Sequence, residues 1–296
     1  MGREPCRVDF DSSGGVKVAA YRWDPAGAPR GIAQLTHGMG EHALRYGAVA
    51  QSLNAQGFVV YAQDHRGHGA TAESLDRQGL IGADGWTELV NDIDRLRLVA
   101  LSEQTGDSGA LPVVLVGHSM GSFAVQQYLP EHSGDVTAVV LTGTAAIDLM
   151  EPGLDLSGPL DLSAFNAPFV PARTDYDWLS RDQAQVDAYV ADARCGFGLD
   201  ENGTRQMFGA ARRLADPQVL GLIRKDLPIY IAVGEHDPVN GQMALADPLI
   251  TRYRDAGIDD VTLRVYSGAR HEVFNETNRD EVLADLADWL RRAVPA

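Results

Sequence analysis

A chain of 296 residues that is 45% hydrophobic carries enough apolar material for a sizeable core, in one large domain or two small ones. Its formal charge of -16 argues against a nucleic-acid partner, since phosphate binding needs a surplus of Lys and Arg, and against purely electrostatic docking on an anionic bilayer. Two isolated cysteines, Cys6 and Cys195, make neither a disulfide framework nor a CxxC site, so a reducing, cytoplasmic setting is expected. The opening MGREPCRVDF lacks the apolar run of an export leader. No later stretch reaches the roughly 18 uninterrupted apolar residues of a membrane span, so stable membrane insertion is not expected.

In chain order, residues 6–23 read as a hairpin turning at Ser12-Ser13-Gly14-Gly15, which places antiparallel strands at one edge of a sheet. GIAQLT (31–36) is the first long core strand; it runs into the glycine-rich loop THGMGEHALRY (36–46) and a helix over 46–56. FVVYA (58–62) is a second strand, leaving through the polar turn DHRGHG (64–69), whose residues read as structural. Over 86–103, Leu89, Ile93, Leu96 and Ala100 recur at spacings of three and four, the stripe of a helix laid on a sheet. VVLV (113–116) is a buried strand that meets GHSMG (117–121) and a helix over 122–129. VTAVVL (136–141), LPIYIAV (227–233) and VTLRVY (261–266) are further strands, with helices over 242–255 and 276–293. Strand followed by helix, repeated, predicts an α/β fold: a mostly parallel central sheet covered by helices on both faces.

The alternation stops between about 146 and 223, where helices are expected over 181–193 and 202–214 and GLDLSGPLDLSAF (153–165) suits a loop or lid better than a central strand. A structureless loop of that length is rare inside a compact domain. The predicted organisation is therefore a core in two parts, 1–145 and 224–296, with an inserted cap subdomain over 146–223.

GHSMG has the context of a nucleophile elbow. There a serine sits on a strained turn between strand and helix, and small residues two before and two after it let backbones pass close. Gly117 and Gly121 meet that demand for Ser119, at the C-terminal sheet edge where open α/β sheets bind ligands. A serine hydroxyl needs a base to take its proton. Of the histidines that follow Ser119, His132 lies at the far end of its helix and His236 has no strand of its own. His271, in YSGARHE just past a strand, can reach the same edge. Asp237, in GEHDPV just past another strand, is the acid expected to hold the imidazole in the right tautomer and stabilise the imidazolium. Oxyanion donors are expected from the backbone N–H of Met120 and, in the loop after the first core strand, of Met39. His37 and Glu41 brace that loop. The pairs His37 and His42, and His65 and His68, lack a third ligand at metal-site spacing, and neither GxxxxGK[ST] nor GxGxxG occurs, so no metal or nucleotide cofactor is expected.

HGMGEHALRY, DHRGHGAT, GHSMGS, GEHDPV and YSGARHEVFNE, in this order over about residues 31–289, resemble the signatures of the monoacylglycerol lipase and lysophospholipase group of α/β-hydrolases, also catalogued with serine aminopeptidases. The resemblance implies the α/β-hydrolase fold, triad roles for Ser119, Asp237 and His271, oxyanion roles for Met39 and Met120, and a cap where the rhythm breaks. Thr71 stands where many members have Ser, and Ser122 where a third Gly is common. Apolar cap residues (Leu154, Leu160, Phe165, Phe169, Trp178, Leu179, Phe197, Met207 and Phe208) supply candidates for a pocket wall. Asp148, Glu151, Asp155 and Asp161 would make its entrance acidic.

The expected activity is hydrolysis of neutral carboxylic monoesters, monoacylglycerols first, with transient contact with lipid surfaces. Lysophospholipids, short-chain or aromatic esters and peptides are alternative substrates. A non-catalytic ligand-binding scaffold is the alternative of a different class, disfavoured because it has no physical need for a complete triad and oxyanion loop.

Overall fold

The computed structural model describes residues 4–104 and 110–295; the first three residues of the N-terminal stretch read above lie outside them. An eight-stranded sheet runs in the order β1-β4-β6-β5-β7-β8-β9-β10. Its members are β1 (Cys6–Arg7), β4 (Ala20–Trp23), β5 (Gly31–Thr36), β6 (Phe58–Gln63), β7 (Val113–His118), β8 (Ala138–Thr142), β9 (Ile229–Gly234) and β10 (Val261–Tyr266). From β5 to β10 every pairing is parallel, whereas β4 lies antiparallel to β6 and β1 to β4. The predicted hairpin divides into two ladders: β1 and β4 join the main sheet, while β2 (Phe10–Asp11) and β3 (Lys17–Val18) pair as a separate ribbon around Ser13–Gly15.

Period-two alternation assigns the two faces of the central strands. Ile32, Val113 and Leu115 point into one apolar core with α2 (Gly85–Glu103), α3 (Met120–His132) and α7 (Ala246–Asp255). Ala33, Leu35, Val114 and Val116 point into the other, against α1 (Gly47–Ala55) and α8 (Arg279–Ala293). The stripe Leu89, Ile93, Leu96 and Ala100 on α2 is fully buried, as its spacing predicts. Helix α7 starts four residues later than the apolar pattern indicates, because Gln242 and Met243 take φ of 52° and 81°, a left-handed backbone that no right-handed helix accommodates.

Strand order reverses at β5, whose neighbours are β6 and β7. The crevice beyond the C-terminal ends at such a reversal is where open sheets hold ligands.

Residues 143–228, between β8 and β9, contain no strand. They fold into short 3-10 turns and the helices α4 (Gln183–Ala191), α5 (Glu201–Arg213) and α6 (Pro217–Leu220). Each helix starts at an aspartate, Asp182, Asp200 or Asp216, whose side chain accepts from a backbone N–H of the first turn. The repeated Leu-Asp-Leu-Ser uses the same chemistry twice: Asp155 accepts from the Ser157 amide and Asp161 from the Ser163 amide, both at 2.9 Å.

Candidate active site

Ser119 follows β7 and precedes α3 with φ 50° and ψ −123°, a conformation rare for a residue with a Cβ. Three contacts hold it there. Its N–H donates to the Thr142 carbonyl at 2.9 Å, its carbonyl accepts from the Phe123 amide at 3.1 Å, and the Ser122 hydroxyl donates to the same carbonyl at 2.6 Å. The two glycines are required by space: a Cβ on Gly121 would lie 2.2 Å from the Thr36 carbonyl oxygen, and one on Gly117 would lie 2.7 Å from Ser122 Cα.

Asp237 leaves the end of β9 and is fully buried. Its Oδ1 accepts from the Val239 amide at 2.8 Å and from His271 Nδ1 at 2.9 Å. That bond assigns the Nδ1–H tautomer to His271 and leaves Nε2 as the basic nitrogen. His271 is itself 2% exposed. Burial opposes its protonated form, but the carboxylates around it, Asp237 foremost and then Glu272 and Glu41, together outweigh burial, and the imidazole pKa is raised above its ordinary value.

Ser119, Met39, Met120 and His271 line one cavity, together with Gly38, Glu41, His118 and Glu272. Its apolar wall comes partly from Phe123 and Val239, on either side of the segment between β8 and β9, and partly from residues 147–208 within it. The Met39 amide has no acceptor among the described residues. The Met120 amide opens α3, a position without an intrahelical acceptor. Both therefore have an N–H to offer a bound anion. His132 stacks on Tyr128 at 4.4 Å near the end of α3, and His236 is exposed, so neither belongs to the cavity.

The loop after β5 is braced as expected. Glu41 accepts from the Gly38 amide at 2.6 Å, the Tyr46 hydroxyl at 2.7 Å and Arg45 at 2.5 Å. His37 Nε2 accepts from the His65 amide at 2.9 Å. The DHRGHG turn is structural too: Asp64 receives the Ala43 and Ala70 amides, tying the turn to this loop.

Four features were not legible in the sequence. Arg45 reaches across to grip Glu272 with both terminal nitrogens, at 2.7 and 2.8 Å, linking the loop after β5 to the loop that carries His271. His118 stands 4.8 Å from His271, ring to ring, and burial lowers its pKa to about 4. It is therefore neutral near pH 7 and adds no positive charge beside the His271 imidazole. Trp178 lies 5.0 Å from the His271 ring, and its carbonyl accepts the His271 amide. The fourth concerns charge: Asp148 is held bidentately by Arg252 at 2.7 and 2.8 Å and Glu151 by Arg212. The expected acidic entrance is thus half neutralised by arginines distant in sequence. Adjacency in the chain, as of Glu272 to His271, is the only local trace of these contacts.

Of the apolar candidates, Leu160, Phe165, Trp178, Leu179, Met207 and Phe208 line the cavity. Phe197 instead packs on His68 at 5.0 Å and Phe169 on Arg270 at 4.3 Å. Tyr189 and Leu162, absent from that expectation, are in the wall.

The chain matches the sequence profile of the family described as serine aminopeptidase, S33 (Hydrolase_4), over residues 27–278. It is 35% identical over 292 residues to a monoacylglycerol lipase of Mycolicibacterium smegmatis, covering 95% of each chain. Over 275 residues it is 27% identical to a monoglyceride lipase of Homo sapiens, covering 86% of this chain and 79% of that one. Among solved structures it resembles a thermostable carboxyl esterase from Bacillus coagulans in complex with glycerol, with a TM-score of 0.85, 27% identity and 99% coverage of both chains.

Proposed function

The chain belongs to the serine aminopeptidase, S33 family of hydrolases, with the α/β-hydrolase fold, and from that premise we propose that it hydrolyses monoacylglycerols through an acyl-enzyme on Ser119. It is a carboxylic ester hydrolase acting on a small-molecule ester. The observation that supports the finer reading is the cavity itself, lined mostly by apolar side chains and also by Ser119, His271, Glu41 and Glu272. An acyl chain suits the apolar part and a hydroxylated alcohol the polar part.

In this mechanism His271 Nε2 takes the proton of Ser119 as Oγ bonds to the ester carbon. Asp237, bonded to Nδ1, stabilises the imidazolium that forms. The carbonyl oxygen becomes an oxyanion facing the amides of Met39 and Met120. Collapse breaks the C–O bond to the alcohol, which leaves with the proton from His271. Water then attacks the acyl-enzyme by the same route, releasing fatty acid and restoring Ser119.

Residues 146–223 act as a cap over this site, set on a core of residues 1–145 and 224–296; the reading is supported by the cavity wall drawn from Met150, Leu160, Phe165, Trp178, Met207 and Phe208. No helix among the described residues is long and apolar enough to cross a membrane. A cytoplasmic location with transient contact at lipid surfaces suits the two free cysteines and an apolar substrate.

Fatty-acid release from a medium-chain 1-monoacylglycerol is the test, with Ser119→Ala beside the native protein. The expected loss in kcat is roughly a millionfold, the size seen when a triad nucleophile is removed. Native protein that releases no fatty acid yet cleaves a small activated ester through Ser119 would keep the nucleophile and discard the monoacylglycerol assignment.

A further inference from the structure

The sequence leaves His42 without companions at metal-site spacing, and the fold supplies them from far along the chain. His42 lies in the loop after β5 and is buried, at 7% exposure. Asp192 and Cys195 come from the turn that ends α4, where the Cys195 amide donates to the Asp192 carbonyl at 2.9 Å and sets the two side chains on one side. His42 Nε2 stands 2.9 Å from Asp192 Oδ2, and the nitrogen, the carboxylate oxygen and Cys195 Sγ all lie within 4.8 Å of one another.

We propose that His42, Asp192 and Cys195 form a binding site for a thiophilic divalent cation of the Zn2+ class, which joins the cap segment to the oxyanion loop. Tetrahedral Zn2+ with one nitrogen, one oxygen and one sulfur ligand sets the donor atoms about 3.4–3.6 Å apart. For a cation to sit among them the 2.9 Å pair must part by roughly half an ångström and Cys195 Sγ, within 4.8 Å, must close by up to about 1.3 Å, movements of side-chain rotation, with water as the fourth ligand.

The surroundings favour a cation. Cys195 Sγ has no hydrogen-bond partner among the described residues. Glu41, Asp192 and Glu272 surround the thiol against Arg45, so the nearby ionised groups are acidic in balance. The turn also lies at the C-terminal, carbonyl end of the nine-residue helix α4, the negative end of its dipole. Burial holds Cys195 as a thiol, so binding exchanges the S–H proton for the S–metal bond and releases that proton to solvent. Asp192 is positioned for the task by its other oxygen, which accepts the Arg194 amide at 2.8 Å.

The consequence is structural. Gly40, two residues before His42, already accepts from the Gly196 amide at 3.0 Å and from the Tyr189 hydroxyl at 2.8 Å. A bound cation adds a second clasp between the same two segments, next to the loop that carries Met39.

The test uses the full chain carrying Cys6→Ser, which removes the exposed thiol. Co2+ titration should give one equivalent of a thiolate-to-cobalt charge-transfer band, and Zn2+ should displace it and raise the melting temperature. Cys195→Ser should abolish the band, and His42→Gln and Asp192→Asn should each weaken Zn2+ affinity about tenfold or more. A thiolate band that is absent from the Cys6→Ser chain would overturn the proposal without any further variant. Zn2+ binding that survives unchanged in Cys195→Ser and His42→Gln would also overturn it, placing the metal elsewhere, for example at Asp94, His132 and Asp135.

Discussion

Burial alone would lower the pKa of His271; the Asp237 carboxylate 2.9 Å from its Nδ1, with Glu272 and Glu41 behind it, reverses that and raises it. Because the base must be neutral to accept the Ser119 proton, kcat/KM rises with pH through this raised pKa. The acid limb of the pH profile should therefore lie above the ordinary imidazole value of 6.5. Asp237→Asn removes the opposing charge, so the limb should move to lower pH while kcat falls about 10⁴-fold. A limb that stays in place in the variant would show that the profile reports another group. Ser119, Asp237 and His271 were each legible as residues that end a strand in a polar or glycine-rich turn, because the strand ahead of each is a local pattern. Arg45, Trp178 and His118 were not, since their roles rest on contacts with His271 and Glu272 far away in the sequence.

At the scale of elements, the junction of β7 and α3 is the most constrained part of the site. Gly121→Ala pushes a methyl group to 2.2 Å from the Thr36 carbonyl, backbone that cannot yield without moving β5. Overpacking of this kind costs roughly 1–3 kcal/mol or more, and here it displaces the loop after β5 as well, since the methyl also meets the His37 carbonyl oxygen. Both the midpoint of denaturant unfolding and the rate of ester hydrolysis should fall. Gly134→Ala, in the turn at the other end of α3, meets nothing within 4 Å and should leave both close to native. Equal effects of the two substitutions would refute the steric account. The strands and helices of the core were readable because periods of 2 and 3.6 are written in adjacent residues. The late start of α7 was not, since the left-handed Gln242 and Met243 interrupt a sequence whose apolar pattern continues.

For the whole molecule, buried histidines set the response to acid. His37 and His118 are lowered to about 4 and His68 to about 3, each by burial, and His65 is lowered well below its ordinary 6.5. An unfolded chain binds protons at these sites near pH 6.5 while the folded one does not. Their contribution to stability is therefore intact above pH 6.5 and is lost as pH falls toward about 4. His271, with its raised pKa, opposes this as a single group. Net stability from urea unfolding should thus decline steadily between pH 6.5 and 4, with proton uptake on unfolding. A flat profile over that window would contradict the neutral, buried assignment.

What the sequence determined by itself was whatever its neighbours in the chain encode: the strand and helix periods, the glycines that allow the Ser119 turn, and the order of serine, acid and histidine at successive strand ends. A parallel sheet then brings those ends to one edge, so the site followed from local patterns and one topological rule. The tertiary structure alone decided which side chains form the cavity wall, that Asp148 and Glu151 are paired with Arg252 and Arg212, and that Asp192 and Cys195 meet His42. Those outcomes depend on how residues 143–228 fold back over the sheet. Their short turns carry no period, and their positions are set by packing against residues distant in sequence.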